Sequence, residues 1–236
     1  MEILDELSND STISYLSNNP NDSLFIFENE EFPYTQKVEE LEPQINNIVS
    51  SVNLGSNLNL KIIALKIKNA EYNSNKCSRL ILKSKDNNLT GTIFSSGKMI
   101  CSGAKSEKEL KSACIKFAKI VNKAGFNVEL KNFKIQNIIA SYDVKFKISL
   151  PKLYNEINTL INNAKKFGNE NNYCKFNTEL IPCIIFYMNN SRISMSIFES
   201  GKVVFSGAKK RKDFEDIFKN IYPLLIEAKM VNIGNE

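Results

Sequence analysis

The sequence predicts an α+β fold made of two similar half-domains related by a pseudo-twofold axis. Residues 93–105 (IFSSGKMICSGAK) and 197–209 (IFESGKVVFSGAK) agree at 9 of 13 positions. Residues 47–54 (NIVSSVNL) and 137–144 (NIIASYDV) form a second similar pair in the same order. The two pairs have offsets of 104 and 90 residues, so the repeated unit is longer than the repeats of solenoid proteins. Two separate segments that recur in order indicate an internal duplication.

In the first unit, apolar periodicity predicts a series of strands followed by a long helix. The strands are expected at residues 44–54, 79–83, 90–94 and 99–102, and a short helix is expected at residues 58–67. The turn Ser95-Ser96-Gly97-Lys98 joins the last two strands as a hairpin. The long helix begins at Ser106, because Ser106 and Glu109 have the spacing of a capping box, and Gly125 follows it as a stop signal.

The second unit repeats this plan with one enlargement. Strands are expected at residues 131–144, 184–188, 193–198 and 203–206, with helices at 153–164 and 213–229. Pro223 is expected to kink the last helix. Residues 165–175 are rich in Lys and Asn and have no counterpart in the first unit, so we predict an enlarged loop at about residues 160–176.

We expect three parts in the chain, which are a tail of residues 1–43, a first repeat at 44–130 and a second repeat at 131–230, and charge separates the tail from the two repeats. The tail holds 11 acidic residues and one lysine, which gives 1 − 11 = −10, and the remainder holds 30 basic and 15 acidic residues, which gives +15. This composition predicts a mostly disordered acidic tail. The tail is either an inert extension or a segment that folds over the basic surface. The basic body fits a protein that neutralises phosphates, although a solvated basic surface has the same composition.

Residue usage disfavours several functional classes. The chain contains no histidine, and its five cysteines show no C-x-x-C spacing. The usual general base, the usual partner of a nucleophile and the common zinc ligands are therefore missing. Repeat-equivalent paired carboxylates are also missing, so we predict neither an enzyme nor a cofactor or metal site. No segment reads as a signal peptide or a membrane span, and the thiols are expected to be reduced and buried.

At its repeated motifs the chain resembles the TATA-box-binding protein family. The matching segments run in order from about Gln44 to about Lys229: NIVSSVNLG (47–55), KNAEYN (68–73), IFSSGKMICSGAKSE (93–107), FKIQN (133–137), DVKF (143–146), SGKVVFSGAK (200–209) and NIYP (220–223). The resemblance implies a saddle, in which a curved antiparallel sheet covers the minor groove of DNA and helices lie on the convex side. A nearly twofold surface suits duplex DNA, which is itself nearly twofold.

The resemblance implies that four repeat-equivalent pairs contact bases. They are Asn47 and Asn137, Val49 and Ile139, Ile100 and Val204, and Ser102 and Ser206. The minor groove of A·T pairs presents only acceptors, so amides and hydroxyls that donate, together with aliphatic side chains, are the expected readers. An isolated Asn or Ser in a strand is more often a turn or edge residue, but the twofold equivalence favours a functional role.

The family also carries apolar wedges that enter base steps, and the TATA-binding protein is a standard example of this kinking. The resemblance places wedges at Cys77 and Phe94 in the first repeat and at Ile181 and Phe198 in the second. The family has Phe where Cys77 and Ile181 stand in this sequence. Because cysteine is smaller than isoleucine and fills less of an opened base step, the kink of the first repeat is expected to be the weaker. An aromatic residue at a strand end is otherwise usually a core residue.

Phosphate and protein contacts are also implied by the resemblance. The expected phosphate contacts are Lys76, Lys83, Ser96, Lys98, Arg192, Ser200 and Lys202. Two positions that hold arginine in the family hold Asn88 and Tyr187 here. General transcription factor IIB is expected to bind near Glu179, factor IIA near the first repeat, and coactivators on the helical side. Self-association of the DNA-free protein is a further expectation.

The resulting hypothesis is a nuclear factor that binds and bends A/T-rich promoter DNA and nucleates the transcription preinitiation complex. The alternative is a divergent paralogue that keeps the saddle and the protein contacts but binds TATA DNA weakly. The replacement of aromatic residues at Cys77 and Ile181 favours this alternative.

Overall fold

The structure, a computed structural model, describes residues 40–68, 70–72, 78–84, 88–166, 172–177, 181–188 and 192–230. Its strands are β1 (Gln44–Asn53), β2 (Ala70–Tyr72), β3 (Arg79–Lys83), β4 (Thr90–Phe94), β5 (Lys98–Ala104), β6 (Lys131–Asp143), β7 (Asn172–Asn177), β8 (Ile181–Met188), β9 (Ile193–Phe198) and β10 (Lys202–Ala208). Its helices are α1 (Leu60–Lys66), α2 (Glu107–Lys123), α3 (Leu150–Lys166) and α4 (Arg211–Glu227).

These strands form one antiparallel sheet in the order β2-β3-β4-β5-β1-β6-β10-β9-β8-β7. The two halves meet where β1 pairs with β6. Ile48 lies opposite Ile138, and this pair is flanked by the mutually equivalent pairs Asn47–Ile139 and Val49–Asn137. The pseudo-twofold axis therefore passes through the Ile48–Ile138 pair. The predicted α+β saddle of two repeated halves is confirmed.

One face of the sheet is buried under the helices. In β1 the side chains of Ile48, Ser50 and Val52 are buried, and the alternate residues are half-exposed. Helix α2 covers the first half with a stripe that includes Leu110 and Phe117. Helix α4 covers the second half, where Phe218 stacks on Tyr142 with ring centroids 3.6 Å apart. Burial of each such large side chain stabilises the fold by about 1.5–3 kcal/mol. In the part of the chain that the structure describes, the side chains of the opposite face stay half-exposed.

The start of α2 has the predicted capping box. Ser106 Oγ accepts a hydrogen bond of 3.2 Å from the backbone N–H of Glu109, and a Glu109 carboxylate oxygen accepts one of 3.0 Å from Lys105. The corresponding residue at the start of α4 is Asp213, whose carboxylate accepts from the backbone N–H groups of Lys209 and Lys210. Both long helices therefore begin at equivalent places beside the dyad.

The predicted enlarged loop at 160–176 is wrong in its secondary structure. Helix α3 continues to Lys166 and β7 begins at Asn172, so most of this region is regular. The second half differs from the first because α3 has 17 residues where α1 has 7, and β7 has 6 where β2 has 3. Within the Lys/Asn-rich run, Cys174 and Phe176 alternate as core-facing residues, and this short period-2 pattern outweighs the loop-like composition. Pro223 lies inside α4, which continues to Glu227, and the kink there stays a prediction.

Candidate nucleic-acid interface

The face of the sheet opposite the helices, here called the open face, is built from half-exposed side chains of both halves. In the first half these are Asn47, Val49, Ser51, Thr90, Thr92, Phe94, Ile100 and Ser102. In the second half they are Asn137, Ile139, Ser194, Ser196, Phe198, Val204 and Ser206. The eight side chains that the sequence predicts to contact bases all lie on this face. Its central floor is uncharged, with aliphatic groups between amides and hydroxyls.

The two predicted asparagines are held in place by the backbone. Asn47 Oδ1 accepts a hydrogen bond of 2.8 Å from the N–H of Gly103, and Asn137 Oδ1 accepts one of 2.7 Å from Gly207. Because only the oxygen of a carboxamide can accept from an N–H group, the contact fixes which way each amide points. The NH₂ group of each amide is then directed away from the glycine as a donor.

A glycine is required at the position that anchors each asparagine. Gly103 and Gly207 have φ values of +100° and +99°. A Cβ atom on Gly103 would lie 2.1 Å from the carbonyl oxygen of Asn88, and one on Gly207 would lie 2.1 Å from that of Arg192. The pairing register shifts at both positions, which is the sign of a β-bulge. The repeated SGAK motif therefore serves to aim a backbone N–H at the asparagine of the neighbouring strand.

A second pair of twofold-related contacts, which the sequence analysis missed, spans the dyad. Asn46 Nδ2 lies 3.0 Å from Ser141 Oγ, and Gln136 Nε2 donates a hydrogen bond of 2.7 Å to Ser51 Oγ. Asn46 and Gln136 lie at two of the three places where the β1–β6 register shifts. Both pairs are related by the offset of 90 residues, so the repeat itself could have revealed them.

Rows of hydroxyl groups also escaped the sequence analysis. Thr90 lies opposite Ser102 in the first half, and Ser194 lies opposite Ser206 in the second. Thr92 and Ser196 continue these rows. The alternation of residues 90–94 (TGTIF) and 193–198 (ISMSIF) could have identified them. These donors fit the acceptor-only edges that A·T pairs present in the minor groove.

Two of the four predicted wedges, Phe94 and Phe198, lie at the two outer parts of the open face. Phe94 ends β4 opposite Arg79, and Phe198 ends β9 opposite Cys183, and both phenyl groups are half-exposed. Their positions at strand ends leave each ring accessible at the rim of the face. Ile181 begins β8, but its side chain lies outside the described residues, as do Cys77, Lys76 and Glu179.

The described cations at the rim differ in their surroundings. Lys98, Arg192 and Lys202 are exposed, as are Ser96 and Ser200 in the two equivalent turns. Lys83 is also exposed, but its Nζ lies 2.7 Å from a Glu71 carboxylate oxygen. The resemblance implies a phosphate contact at Lys83, and the structure shows that Glu71 competes for the same ammonium group. An exposed pair of this kind is worth only about 0–1 kcal/mol.

Beneath the sheet, buried thiols contact one another and a serine. Ser50 Oγ and Cys114 Sγ are 3.7 Å apart. A hydrogen bond with Cys114, together with burial, raises the pKa of the Cys101 thiol above its ordinary range. These groups are covered by α2 and do not reach the open face. Among the described residues, no three or more His, Cys, Asp or Glu side chains are placed to hold a metal ion. No helix in the same part of the chain is long and apolar enough to cross a membrane.

Comparison with known proteins decides the family. Residues 42–124 and 132–228 match the family described as transcription factor TFIID, or TATA-binding protein. The chain belongs to the TATA-binding protein family. Its two matched segments coincide with the two halves, since the first reaches the end of α2 and the second runs from β6 to the end of α4.

Curated members of the TATA-binding protein family are similar over most of this chain. The TATA-box-binding protein of Acanthamoeba castellanii is 44% identical over 187 residues, which cover 79% of this chain and 67% of the relative. That of Acetabularia peniculus is 42% identical over 185 residues, 78% of this chain and 90% of the relative. That of Xenopus tropicalis is 44% identical over 183 residues, and the match spans 57% of the relative's length.

A solved structure supports the same relationship. The fold is similar to that of Methanococcus jannaschii TBP, with a TM-score of 0.64 and 28% identity. The match covers 79% of this chain and 99% of the archaeal chain.

Proposed function

We propose that this protein is a nuclear transcription initiation factor that binds A/T-rich promoter DNA in the minor groove and bends it. The observation that carries the proposal is the uncharged floor of the open face, with one backbone-anchored amide in each half. Such a floor offers hydrogen-bond donors to base edges that carry only acceptors, and the Oδ1 atoms of its two amides are already engaged by Gly103 and Gly207. The names of the related proteins, all TATA-box-binding proteins, support the same substrate.

The mechanism follows from the layout of the face. Aliphatic groups and hydroxyls on the floor contact the base edges and exclude water, while Lys98, Arg192 and Lys202 neutralise phosphates at the rim. Phe94 and Phe198 enter base steps at the two ends. Unstacking a step costs a few kcal/mol, and the extra contact with the bent duplex offsets that cost. No step of this mechanism requires bond chemistry, so the proposed role is that of a binding protein and not an enzyme.

The helical side and the ends of the saddle are the proposed protein-binding surfaces. General transcription factor IIB would bind the second half near Glu179, factor IIA would bind the first half, and coactivators would bind α2 and its neighbours. The exposed basic side of α2, with Lys108, Lys116 and Lys119, supports a partner surface that is acidic.

A binding assay with two duplexes tests the proposal. The protein should retard a duplex with a central TATA-like element and should bind a G·C duplex of equal length much more weakly. Fluorescence transfer between dyes at the two ends of the TATA-like duplex should rise on binding because the ends approach. Equal affinity for the two duplexes would contradict minor-groove reading of A·T pairs.

The divergent paralogue is the second candidate function. The small Cys77 side chain and the Lys83–Glu71 ion pair both favour weaker binding in the first half. A paralogue of this kind would keep the saddle and the contacts with factors IIA and IIB but would bind TATA DNA weakly. A gel shift on a TATA-like duplex separates the candidates, since the paralogue would retard that duplex only weakly. Cys77→Phe should increase bending and slow release of the duplex if position 77 lies at the kink.

A further inference from the structure

The outer edge of the second half carries an aromatic pair with a cation above it. Tyr173 in β7 lies opposite Tyr187 in β8, and their rings stack with centroids 4.6 Å apart and an interplanar angle of 16°. Lys175 Nζ lies 5.5 Å from the Tyr173 ring centroid and 5.7 Å from that of Tyr187. The contact with two ring faces restricts where the ammonium group can go.

Strand alternation places this cluster on the open face. Cys174 and Phe176 pack against the core from β7, while Phe186 is buried in β8. Since neighbouring residues in a strand point to opposite faces, Tyr173, Lys175 and Tyr187 point away from the helices.

The cluster is accessible and joins the floor of the face. Tyr187 lies opposite Ser194, which belongs to the hydroxyl row of the second half. Tyr173 is 43% exposed, and Lys175 is exposed.

The first half has a different arrangement at the equivalent positions. The offset of 104 residues makes Lys83 equivalent to Tyr187 and Ile81 equivalent to Ile185. Glu71 pairs with Ile81 as Lys175 pairs with Ile185, so Glu71 occupies the place of Lys175. There Lys83 and Glu71 neutralise each other at 2.7 Å. Around Lys175, the contacts described by the structure are aromatic rings, which leave the ammonium charge in place.

We propose that Lys175, positioned by Tyr173 and Tyr187, binds a backbone phosphate of the duplex at the outer end of the second half. The inference rests on the proposed function of the open face and assigns one more contact to it. An ammonium group offers three donors and a full charge to a phosphate oxygen. At the equivalent place in the first half, Lys83 is paired with Glu71. The saddle would therefore contact one more outer phosphate at the second-half end than at the first-half end.

The test combines a salt titration with neutral-phosphate interference on a duplex that carries an asymmetric A/T-rich site. In Lys175→Gln the slope of log K against log salt should become shallower by about 0.9, because one fewer phosphate is neutralised. Lys175→Arg should keep the slope. Lys219→Gln is the matched control, since Lys219 is an exposed lysine of α4 on the helical side and should leave the slope unchanged. Equal midpoints of thermal unfolding would show that the variants are folded.

Methylphosphonate substitution at single positions locates the contact. The parent protein should lose affinity when one outer phosphate at one end of the site is neutral, and Lys175→Gln should be insensitive at that position alone. If the parent binds the duplex but Lys175→Gln keeps the slope and the interference pattern, the assignment is wrong while the proposed function stands. If the parent itself shows no preference for A/T-rich duplex, the proposed function fails and the assignment fails with it.

Discussion

Asn47 and Asn137 make the same hydrogen bond on opposite sides of the pseudo-twofold axis, each through Oδ1 to the backbone N–H of a bulged glycine. The two amides are thereby set before any ligand arrives. A pre-set donor loses little conformational freedom on binding, which is why anchored groups contribute more to affinity than mobile ones.

Removal of either amide should weaken binding to A/T-rich duplex. Asn47→Ala and Asn137→Ala should each cost about 1–3 kcal/mol, the range for a good base contact. Each amide also holds a bulged glycine in place, so each variant should lose about 0.5–1.5 kcal/mol of stability. Asn57→Ala, at an exposed position between β1 and α1, is the control. Equal losses for A·T and G·C duplexes would show that the amides do not read bases.

Binding should weaken as salt rises. The sequence predicts five cationic phosphate contacts, which correspond to a slope of log K against log salt of about −4 to −5. Lys98→Gln and Lys202→Gln should each reduce its magnitude by about 0.9. Lys83→Gln should change it less, because Glu71 already neutralises Lys83. Lys116→Gln on the outer side of α2 is the control, and a flat salt response in the parent would sink the assignment of this face.

The second half should be the stronger bending end. Phe198→Ala should reduce the bend and speed dissociation, because Ile181 alone would then have to hold a base step. Phe94→Ala should remove nearly all of the kink at the first-half end of the duplex, since the Cys77 side chain has too little apolar area to replace the phenyl group. End-to-end fluorescence transfer and stopped-flow dissociation measure both effects. A duplex bent equally by the parent and by both variants would show that neither ring enters a base step.

The acidic tail is expected to lower DNA affinity at low salt. The residues that connect it to the fold already touch the second half, where Glu42 lies 2.9 Å from Arg211 in an exposed ion pair. Deletion of residues 1–39 keeps this pair and should raise affinity modestly, and the gain should fade at high salt as the Debye length shortens. Deletion of residues 1–43 also removes the Glu42–Arg211 ion pair, so the difference between the two deletions measures the effect of that pair. Unchanged low-salt affinity would identify the tail as an inert extension.

Alkaline pH should destabilise the fold through Cys174. Burial raises the pKa of this thiol from 9.0 to about 12. The folded state therefore favours the protonated thiol, so its contribution is complete below about pH 9 and is lost as pH rises towards 12. In Cys174→Ala the free energy of unfolding should fall less steeply with pH. The difference in slope is at most about 1.4 kcal/mol per pH unit for a fully buried thiol, and it should be smaller here because the thiol is only partly buried. Urea unfolding at pH 7, 9 and 10.5 checks it, and a constant difference between the two proteins would contradict it.

The duplication made most of the fold predictable from sequence, and together with the family resemblance it indicated which side chains lie on the open face. Residues such as Asn47 and Ser206 could be placed because each has an equivalent in the other half. What could not be predicted lies where the halves differ. The contact between Lys175 and the two tyrosines depends on which residues of β7 and β8 face each other, and the Lys/Asn-rich composition concealed that strand. The Lys83–Glu71 pair likewise depends on the register of β2 and β3, which no local pattern specifies.

The β1–β6 ladder joins the two halves along the length of β1, from the pair Gln44–Ser141 to the pair Asn53–Lys131. A ligand that pushes the two ends of the saddle apart therefore strains all the hydrogen bonds of that ladder at once. A slip of one residue in the β1–β6 pairing would turn the side chains of the open face towards the core. It would also break the contacts that Asn46 and Gln136 make across the ladder. If the proposed function holds, the saddle should keep its shape on binding, so that the deformation falls on the duplex.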